Sequence, residues 1–321
     1  MRRPGGTSDA QEHQLIRERT TALRSSSILA LFPGQGTQTV GMGRRAAEAS
    51  AAAAQVFDLA SDILRIDARE LCWRTPDAEL KRTKNAQPAI TIAALASWAV
   101  ASEELMGSSA VVAAGHSVGA ISAAAAAGYL SMPTAVRLAA SRGELMGSVA
   151  GHGSMLAVAI NGLPTADEQE ERAHELAARF HVDVGAVNGP RQVVLSGPRD
   201  LIERACAQLE GRAKMLAVSH AFHSRMMAPV ESQWCAMVDA VEMEPAPTWS
   251  YQGSIFAMRA RTAEDVRQDL RASLTMPVLW SRVMESTMTL SEVRVFGPGG
   301  VLARLVRPYR GGRTVTQVDV S

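Results

Sequence analysis

Residues 115–119, which read Gly-His-Ser-Val-Gly, have the composition of a turn that presents a serine nucleophile. A buried strand is predicted immediately before this segment, over 110–114, and a helix immediately after it, from Ala120. Glycines on both sides of Ser117 let the backbone turn sharply and lift the hydroxyl above the sheet. The amino end of the following helix offers unpaired N–H groups and a partial positive charge to a developing oxyanion. The pattern predicts a nucleophile elbow; the alternative is a structural turn that contains a serine by chance.

A base for this serine must lie within hydrogen-bond reach, because a serine hydroxyl is a poor nucleophile at neutral pH. Among the seven histidines, His13 lies in the amino-terminal segment and His116 is expected to point away from the nucleophile. Three others fall in a predicted small lobe. The last two, His220 and His223, flank a phenylalanine in the segment 219–224, Ser-His-Ala-Phe-His-Ser, where the chain leaves that lobe. A lone histidine in a loop is usually structural, but this pair favours a site.

The elements that must position these residues alternate between buried strands and helices with apolar residues every three or four positions. Strands are predicted at 28–32 and 110–114, with a last strand at 293–296. Helices are predicted at 43–64, 86–105, 120–127, 134–146, 226–241 and 263–274. Repeated strand, turn and helix in this order predicts an α/β fold.

Between residues 151 and 219 the predicted order changes to β-α-β-β-α-β, which is typical of a ferredoxin-like unit. Its strands are predicted at 154–160, 182–187, 192–196 and 213–218, and its helices at 166–180 and 199–209. We therefore predict an α/β-hydrolase-like large subdomain formed by 28–150 and 220–321, with a ferredoxin-like small subdomain inserted at 151–219. Residues 1–27 are predicted to be a tail or peripheral segment.

Composition narrows the functional classes further. Lys and Arg number 33 against 32 Asp and Glu, so the chain lacks the net charge of a general nucleic-acid or membrane-surface binder. No apolar run approaches the roughly 20 residues of a membrane span, and segment 1–27 lacks the apolar centre of a secretory signal. The three cysteines do not show metal-ligand or CxxC spacing. We predict a cytoplasmic enzyme without a metal site.

Several separated motifs, in this order along the chain, resemble those of the malonyl-CoA:acyl-carrier-protein transacylases and the related polyketide synthase acyltransferases. The resemblance covers nearly all of 28–318. Its motifs are Phe-Pro-Gly-Gln-Gly-Thr-Gln at 32–38, the elbow at 115–119, Arg-Gly-Glu-Leu-Met at 142–146, His-Ala-Phe-His-Ser at 220–224 and a closing loop, Gly-Pro-Gly-Gly-Val-Leu, at 297–302. Each motif alone is modest support, but their combination is specific.

The resemblance implies a ping-pong reaction with an acyl-serine intermediate. Ser117 attacks the thioester, and His223 takes its proton and later activates the incoming thiol. The backbone N–H groups of Gln35 and Val118 form the oxyanion hole. No acidic third member is apparent, and the family relationship implies that a backbone carbonyl of the closing loop orients the histidine. The implied substrates are a coenzyme A thioester and the phosphopantetheine thiol of an acyl carrier protein, with no permanently bound cofactor.

The substrate-binding residues implied by the resemblance begin with Arg142. Its guanidinium can bind the free carboxylate of a malonyl group in a two-pronged geometry that lysine cannot reproduce. The alternative is a surface arginine on the helix predicted at 134–146. Gln87 and Asn188 match family positions that line the site, although either residue could instead cap a turn. We place His116 in the same substrate-binding set.

The segment from His220 to His223 resembles the form found in malonyl-selecting acyltransferases, and Phe222 would crowd an α-methyl group. Apolar pockets discriminate a methyl group by only about 1–3 kcal/mol, so this preference is modest. Three residues, Ala120, Ser273 and Phe296, depart from the family's usual pattern and favour a specialised pathway enzyme. A discrete acyltransferase that serves a polyketide synthase in trans fits these features, as does transfer of an unusual non-malonyl group between carrier proteins.

Two further alternatives stay open. An editing thioester hydrolase of the same fold would share Ser117 and His223 but would have no use for Arg142 as a carboxylate ligand. A catalytically idle docking protein could bind acidic carrier proteins through the arginine-rich segment 304–310. The intact serine and histidine argue against the docking protein, and Arg142 argues against the hydrolase.

Overall fold

A computed structural model of the chain describes residues 27–106 and 110–318. Apart from Ser27, the predicted tail at 1–27 lies outside the described residues. The strands are β1 (Ser27–Phe32), β2 (Ala110–Gly115), β3 (Gly153–Ala159), β4 (Asp183–Gly189), β5 (Gln192–Pro198), β6 (Ala213–Met215), β7 (Ser250–Gln252), β8 (Glu292–Phe296) and β9 (Thr314–Val318).

The α-helices follow the strands in the alternation expected of an α/β protein. They are α1 (Arg44–Ala49), α2 (Ala51–Leu64), α3 (Ala68–Trp73), α4 (Asp77–Leu80), α5 (Thr83–Leu105), α6 (Gly119–Ala127), α7 (Met132–Ser148), α8 (Ala166–Phe180), α9 (Arg199–Gln208), α10 (Ala228–Asp239), α11 (Ala263–Ala272), α12 (Trp280–Ser286) and α13 (Val301–Val306). Short 3₁₀ helices cover Arg225–Met227 and Arg307–Tyr309.

The larger sheet has five parallel strands in the order β7-β2-β1-β8-β9. Strands β1 and β2 are almost continuous apolar runs, which is typical of parallel strands that are covered on both faces. Strands β1 and β2 are neighbours, with Phe32 opposite Gly115, so their carboxyl ends lie together at one edge of the sheet. The amide of His116 donates to the carbonyl of Phe32 over 3.0 Å. The loop after β1 and the predicted elbow after β2 are therefore adjacent.

The second sheet is antiparallel, with the order β4-β5-β3-β6, and is formed by the chain between 153 and 215. Alternation along its strands divides the side chains between two cores. Val193 and Leu195 pack into a small core under α8 and α9. Met155 and Val194 face the other way and join the main core. One face of this sheet is thus turned towards the elements that carry the serine.

The predicted α/β class is confirmed by the parallel sheet and its covering helices. The helix predicted at 43–64 is two helices, because Ser50 adopts an extended backbone and its side chain caps α2 by accepting from the amide of Ala53. The strand predicted as the last, at 293–296, is followed by β9 in the same sheet. Strand β7 was not predicted, since three residues are too few to show alternation.

A short segment, 276–279, links the two sheets. Val278 forms a parallel bridge with Ala186 of β4, and the amide of Leu279 donates to the carbonyl of Ser254 over 2.8 Å. The segment therefore has a fixed path between the small sheet and the loop after β7. Within the described part of the chain, no helix has the length and hydropathy needed to cross a membrane.

Candidate active site

Ser117 lies on a sharp turn between β2 and α6 and has a left-handed backbone, with φ of 55°. Both flanking glycines are required by close packing. A Cβ at Gly115 would lie 2.0 Å from the carbonyl of Gly119, and a Cβ at Gly119 would lie 2.2 Å from the carbonyl oxygen of Phe32. The local sequence thus folds as a strand, a strained turn and a helix, the geometry of a nucleophile elbow.

The structure brings His223 to this serine. His223 Nε2 lies 2.8 Å from Ser117 Oγ, although 106 positions separate the two residues in the sequence. On the other side of the ring, Nδ1 lies 3.1 Å from the carbonyl oxygen of Met276. When Nδ1–H donates to that carbonyl, Nε2 is free to accept the serine proton. The pair has the connectivity of a nucleophile and its base.

The prediction that the closing loop at 297–302 orients the histidine is wrong. The carbonyl comes from Met276, in the segment 276–279 that is fixed between the two sheets. The closing loop instead packs on the loop after β1, where a Cβ at Gly299 would lie 3.0 Å from the carbonyl oxygen of Thr37.

The loop that carries His223 is held from the small sheet. Ser196, a fully buried residue of β5, donates its hydroxyl to the carbonyl of Phe222 over 2.6 Å. Ser224 donates to the carbonyl of Ala221 over 2.7 Å. His223 itself has φ of 56°, so these bonds stabilise an unfavourable backbone conformation next to the base. A buried serine that faces another chain segment leaves no distinctive sequence pattern.

The histidine is neutral in this environment. Burial, followed by the charge of Arg142 and the proximity of the His116 ring, lowers the pKa of His223 to about 3, against the opposing effect of the hydrogen bond to Met276. A neutral imidazole can accept the proton of Ser117 throughout the physiological pH range.

This environment predicts an unusual pH profile. Because the base loses activity only when it is protonated, kcat/KM for acylation of Ser117 should stay level through pH 6.5, the ordinary pKa of histidine, and fall only near about pH 4 or below. The measurement is rapid-quench acylation across that range. Below about pH 6.5 the unfolded chain binds a proton on this histidine and the folded protein does not. The free energy of unfolding therefore decreases as the pH is lowered below that value. Circular dichroism at each pH therefore serves as the control, and an acid limb near 6.5 in folded protein would contradict the prediction.

Arg142 is a buried residue of α7, with 1% of its surface exposed, so the surface-arginine alternative is wrong. Its Nη1 donates to Gln87 Oε1 over 3.0 Å, and its Nη2 donates to the carbonyl of Ser273 over 2.9 Å. The same Nη2 lies 3.5 Å from Ser117 Oγ. The guanidinium is therefore fixed beside the nucleophile.

The charge of Arg142 is uncompensated. Among residues 27–106 and 110–318 no carboxylate pairs with it, and its buried Nε has no hydrogen-bond partner. Burial lowers the pKa of Arg142 to about 9, which still leaves it charged at neutral pH. A buried cation with unused donors is costly without an anion, so the site is suited to bind one.

His116 points away from the nucleophile, as expected. Its Nε2 lies 2.8 Å from Asn188 Oδ1, and its ring packs 5.3 Å from the ring of Trp280. The amide nitrogen of Asn188 donates to Gln192 Oε1 over 2.9 Å. These contacts tie the elbow to the β4–β5 hairpin of the small sheet.

The predicted oxyanion-hole residues lie on adjacent loops. Gln35 follows β1 and Val118 follows the serine, and within the described residues neither backbone N–H donates a hydrogen bond. The side chain of Gln35 donates to Thr83 Oγ1 over 3.2 Å. A turn in which Thr37 Oγ1 donates to the carbonyl of Gly34 over 2.8 Å holds this loop. Both N–H groups are thus available to a ligand.

A cavity of about 440 Å³ opens over the serine and the histidine. Its wall comes from the loop after β1, from the inward face of the small sheet and from α13. The residues include Gln35, His116, Ser117, Met155, Ala157, Asn188, Gln192, Val194, Lys214, Met215, Phe222, His223, Val301 and Leu305. The size of the cavity and its largely apolar lining with a few polar side chains suit a small-molecule substrate whose reacting group lies at Ser117.

One predicted substrate-binding residue lies elsewhere. His220 lines a neighbouring cavity of about 540 Å³ together with Arg82 and Glu144. Its ring stacks on that of Phe222 with 5.8 Å between centroids, and Phe222 lines the main cavity. Among the described residues no cluster of His, Cys, Asp or Glu could hold a metal ion.

Comparison with known proteins identifies the class to which this fold and site belong. Residues 30–295 match the family model of the acyl transferase domain. The chain therefore belongs to the acyl transferase domain family, and it is an acyltransferase.

Two similar proteins have names that specify the acyl group and the acceptor. The malonyl CoA-acyl carrier protein transacylase of Haemophilus influenzae is 34% identical over 300 residues, which cover 90% of this chain and 94% of that protein. The polyketide biosynthesis malonyl CoA-acyl carrier protein transacylase PksC of Bacillus subtilis is 30% identical over 288 residues, covering 87% of this chain and 96% of its own length.

A solved structure agrees with these relatives. It contains a malonyl-transacylase in complex with its type II polyketide synthase acyl-carrier protein, and it has 31% sequence identity and a TM-score of 0.79 to this chain. The alignment covers 91% of this chain and 95% of that one. The family resemblance predicted from the sequence motifs is confirmed.

Proposed function

We propose that the protein transfers a malonyl group from coenzyme A to the phosphopantetheine thiol of an acyl carrier protein. One observation carries the proposal: Ser117 and His223 form a pair at 2.8 Å, and a buried guanidinium without a carboxylate partner lies beside the serine. The names of the relatives support the same substrates.

In the first half-reaction, Ser117 Oγ attacks the thioester carbonyl carbon while its proton passes to His223 Nε2. The C=O bond opens to an oxyanion, which accepts hydrogen bonds from the N–H groups of Gln35 and Val118. Collapse of this intermediate breaks the C–S bond, and the imidazolium returns its proton to the departing thiolate. The products are free coenzyme A and a malonyl ester on Ser117.

The second half-reaction repeats these steps in reverse. The thiol of the carrier protein gives its proton to His223 Nε2, and the thiolate attacks the ester carbonyl. The same N–H groups stabilise the second oxyanion, and the C–O bond to Ser117 breaks as the histidine returns the proton to the serine. Each step uses only side chains and backbone of this chain, so we propose no permanently bound cofactor.

Arg142 selects the acyl group in this proposal. A malonyl carboxylate would form charge-assisted hydrogen bonds with the unused donors of the guanidinium, which Gln87 and Ser273 hold in place. Phe222 lines the cavity next to His223 and would crowd an α-methyl group. Transfer of a non-malonyl group between carrier proteins, and thioester hydrolysis, are less favoured because neither explains the buried cation.

We also propose the two-part division of the chain predicted from the sequence. The parallel sheet belongs to an α/β-hydrolase-like subdomain of 28–150 and 220–321, and the inserted part at 151–219 is ferredoxin-like. The order β4-β5-β3-β6 supports the second assignment, since the first and third strands of the β-α-β-β-α-β unit, β3 and β5, lie side by side at the centre of the sheet. The active site then lies between the subdomains.

The proposed partner is an acidic carrier protein, which could belong to a polyketide synthase served in trans. Arg304 of α13 and Arg307 are exposed and form no ion pair among the described residues. Other residues of α13, among them Val301 and Leu305, line the cavity, so the same short segment of chain carries both the cavity wall and these exposed cations. We place the reaction in the cytoplasm, where coenzyme A thioesters are made.

The test is intact-mass spectrometry after mixing the protein with malonyl-CoA. We expect one malonyl adduct, which disappears when a holo acyl carrier protein is added and reappears on that carrier. Labelling only by another acyl-CoA would overturn the malonyl assignment. Loss of the adduct to water as fast as to the carrier protein would indicate the hydrolase instead.

A further inference from the structure

A chain of hydrogen bonds runs from the residue beside the nucleophile into the cavity wall. It joins His116 to Asn188 and Asn188 to Gln192, over 2.8 Å and 2.9 Å. Burial lowers the pKa of His116, so its ring is neutral and its Nε2–H donates to the amide oxygen of Asn188. The nitrogen of that amide donates to Gln192 Oε1. This polarity leaves Gln192 with its NH₂ group as the free end of the chain.

The free NH₂ group of Gln192 lies on the cavity side of the small sheet. Gln192 is the first residue of β5, and strand alternation places its side chain on the same face as Val194, which lines the cavity. Val193, between them, packs into the small core on the opposite face. In the part of the chain that the structure describes, Gln192 Nε2 has no hydrogen-bond partner. The donor is oriented but unused.

The surroundings of this donor indicate what it could bind. Met155, Ala157, Val194 and Met215 make the adjoining wall apolar. A carbonyl oxygen that leaves water to lie along such a wall needs a donor, since an unsatisfied polar group costs about 1–3 kcal/mol. An amide NH₂ group accepts no hydrogen bond and carries no charge, so it favours a neutral acceptor.

We infer that Gln192 donates a hydrogen bond to an amide carbonyl of the pantetheine arm in both half-reactions. This inference rests on the proposed function, because the arm is the part that coenzyme A and a carrier protein share. The arm carries two amide groups between its phosphate and its thiol, and Gln192 lines the same cavity as Ser117. His116 and Asn188 act as positioning residues that fix the orientation of the glutamine amide.

The experiment compares three acyl donors that carry the same acyl group: the coenzyme A thioester, the pantetheine thioester and an amide-free propyl thioester. For Gln192→Ala we expect KM to rise about tenfold with the first two donors, with kcat nearly unchanged. The propyl thioester should show no change. Gln192→Glu should be impaired at least as strongly at neutral pH, because an ionised carboxylate cannot donate.

A matched control is Gln208→Ala. Gln208 is exposed at the end of α9, and that helix covers the face of the small sheet opposite the cavity. This variant should behave as wild type with all three donors. Binding of unacylated coenzyme A, measured by calorimetry, tests the same contact without catalysis and should weaken about tenfold in Gln192→Ala only.

Two results would overturn the inference. An equal loss with all three donors would show that Gln192 only supports Asn188 and His116. Unchanged KM and unchanged coenzyme A binding would show that the amide touches no part of the arm. Failure of the proposed function can be distinguished from failure of this inference, because in the first case the wild-type protein takes no acyl group from malonyl-CoA. The calorimetric comparison would still decide the role of Gln192.

Discussion

Replacing Ser117 with alanine is expected to abolish the acyl adduct and to lower acyl transfer by at least about 10³-fold. The substitution removes the atom that forms the covalent bond and leaves the oxyanion-hole N–H groups in place. The backbone should tolerate it, since serine and alanine pay a similar cost for the left-handed φ of 55° at this turn. Intact mass and transfer to a holo carrier protein measure the two effects.

The control for this variant removes the same atom from another helix-associated serine. Ser102, near the end of α5, donates to the carbonyl of Ala99, and Ser102→Ala should keep both the adduct and the transfer rate. Because Ser117 and His223 act as a unit, the double variant Ser117→Ala/His223→Ala should be no slower than Ser117→Ala alone. A full-sized adduct on Ser117→Ala would show that another residue carries the acyl group.

The nucleophile could be predicted from sequence because the requirement is local. Gly115, Ser117 and Gly119 lie within one short segment, so the motif is visible in the sequence, even though the carbonyl that excludes a side chain at Gly119 belongs to Phe32 on the neighbouring strand. The element order of the small sheet was also predicted, because hydrophobic periodicity is a local property. Helix starts such as Ser50 were missed, since a single capping residue does not interrupt an apolar pattern.

The groups that complete the site come from distant parts of the chain. The carbonyl of Met276 reaches His223 only because Val278 pairs with β4 and Leu279 bonds to the loop after β7. A backbone carbonyl has no sequence signature, so this contact was assigned to the wrong loop. The role of Ser273 is similar: its carbonyl, not its side chain, holds Arg142. Such contacts follow from packing of both sheets and cannot be predicted from spacing.

Replacing Arg142 with alanine is expected to lower kcat/KM for malonyl-CoA by about 10²-fold or more, since truncating one member of a buried charged pair costs 2–5 kcal/mol. The rate with acetyl-CoA should be unchanged or higher, because acetyl has no carboxylate and the variant no longer holds an uncompensated buried cation. The measurement is kcat/KM with both donors, and their ratio is the quantity of interest.

Arg142→Lys separates charge from geometry. Lysine keeps a positive charge but lacks the fork that can bond to Gln87, to Ser273 and to a carboxylate at the same time. It should therefore recover only part of the malonyl preference that Arg142→Ala loses. Arg137→Ala, on the exposed side of the same helix, should keep the wild-type ratio. If the ratio in Arg142→Ala equals that of the wild type, the guanidinium does not bind the acyl carboxylate, and the buried charge must serve another purpose.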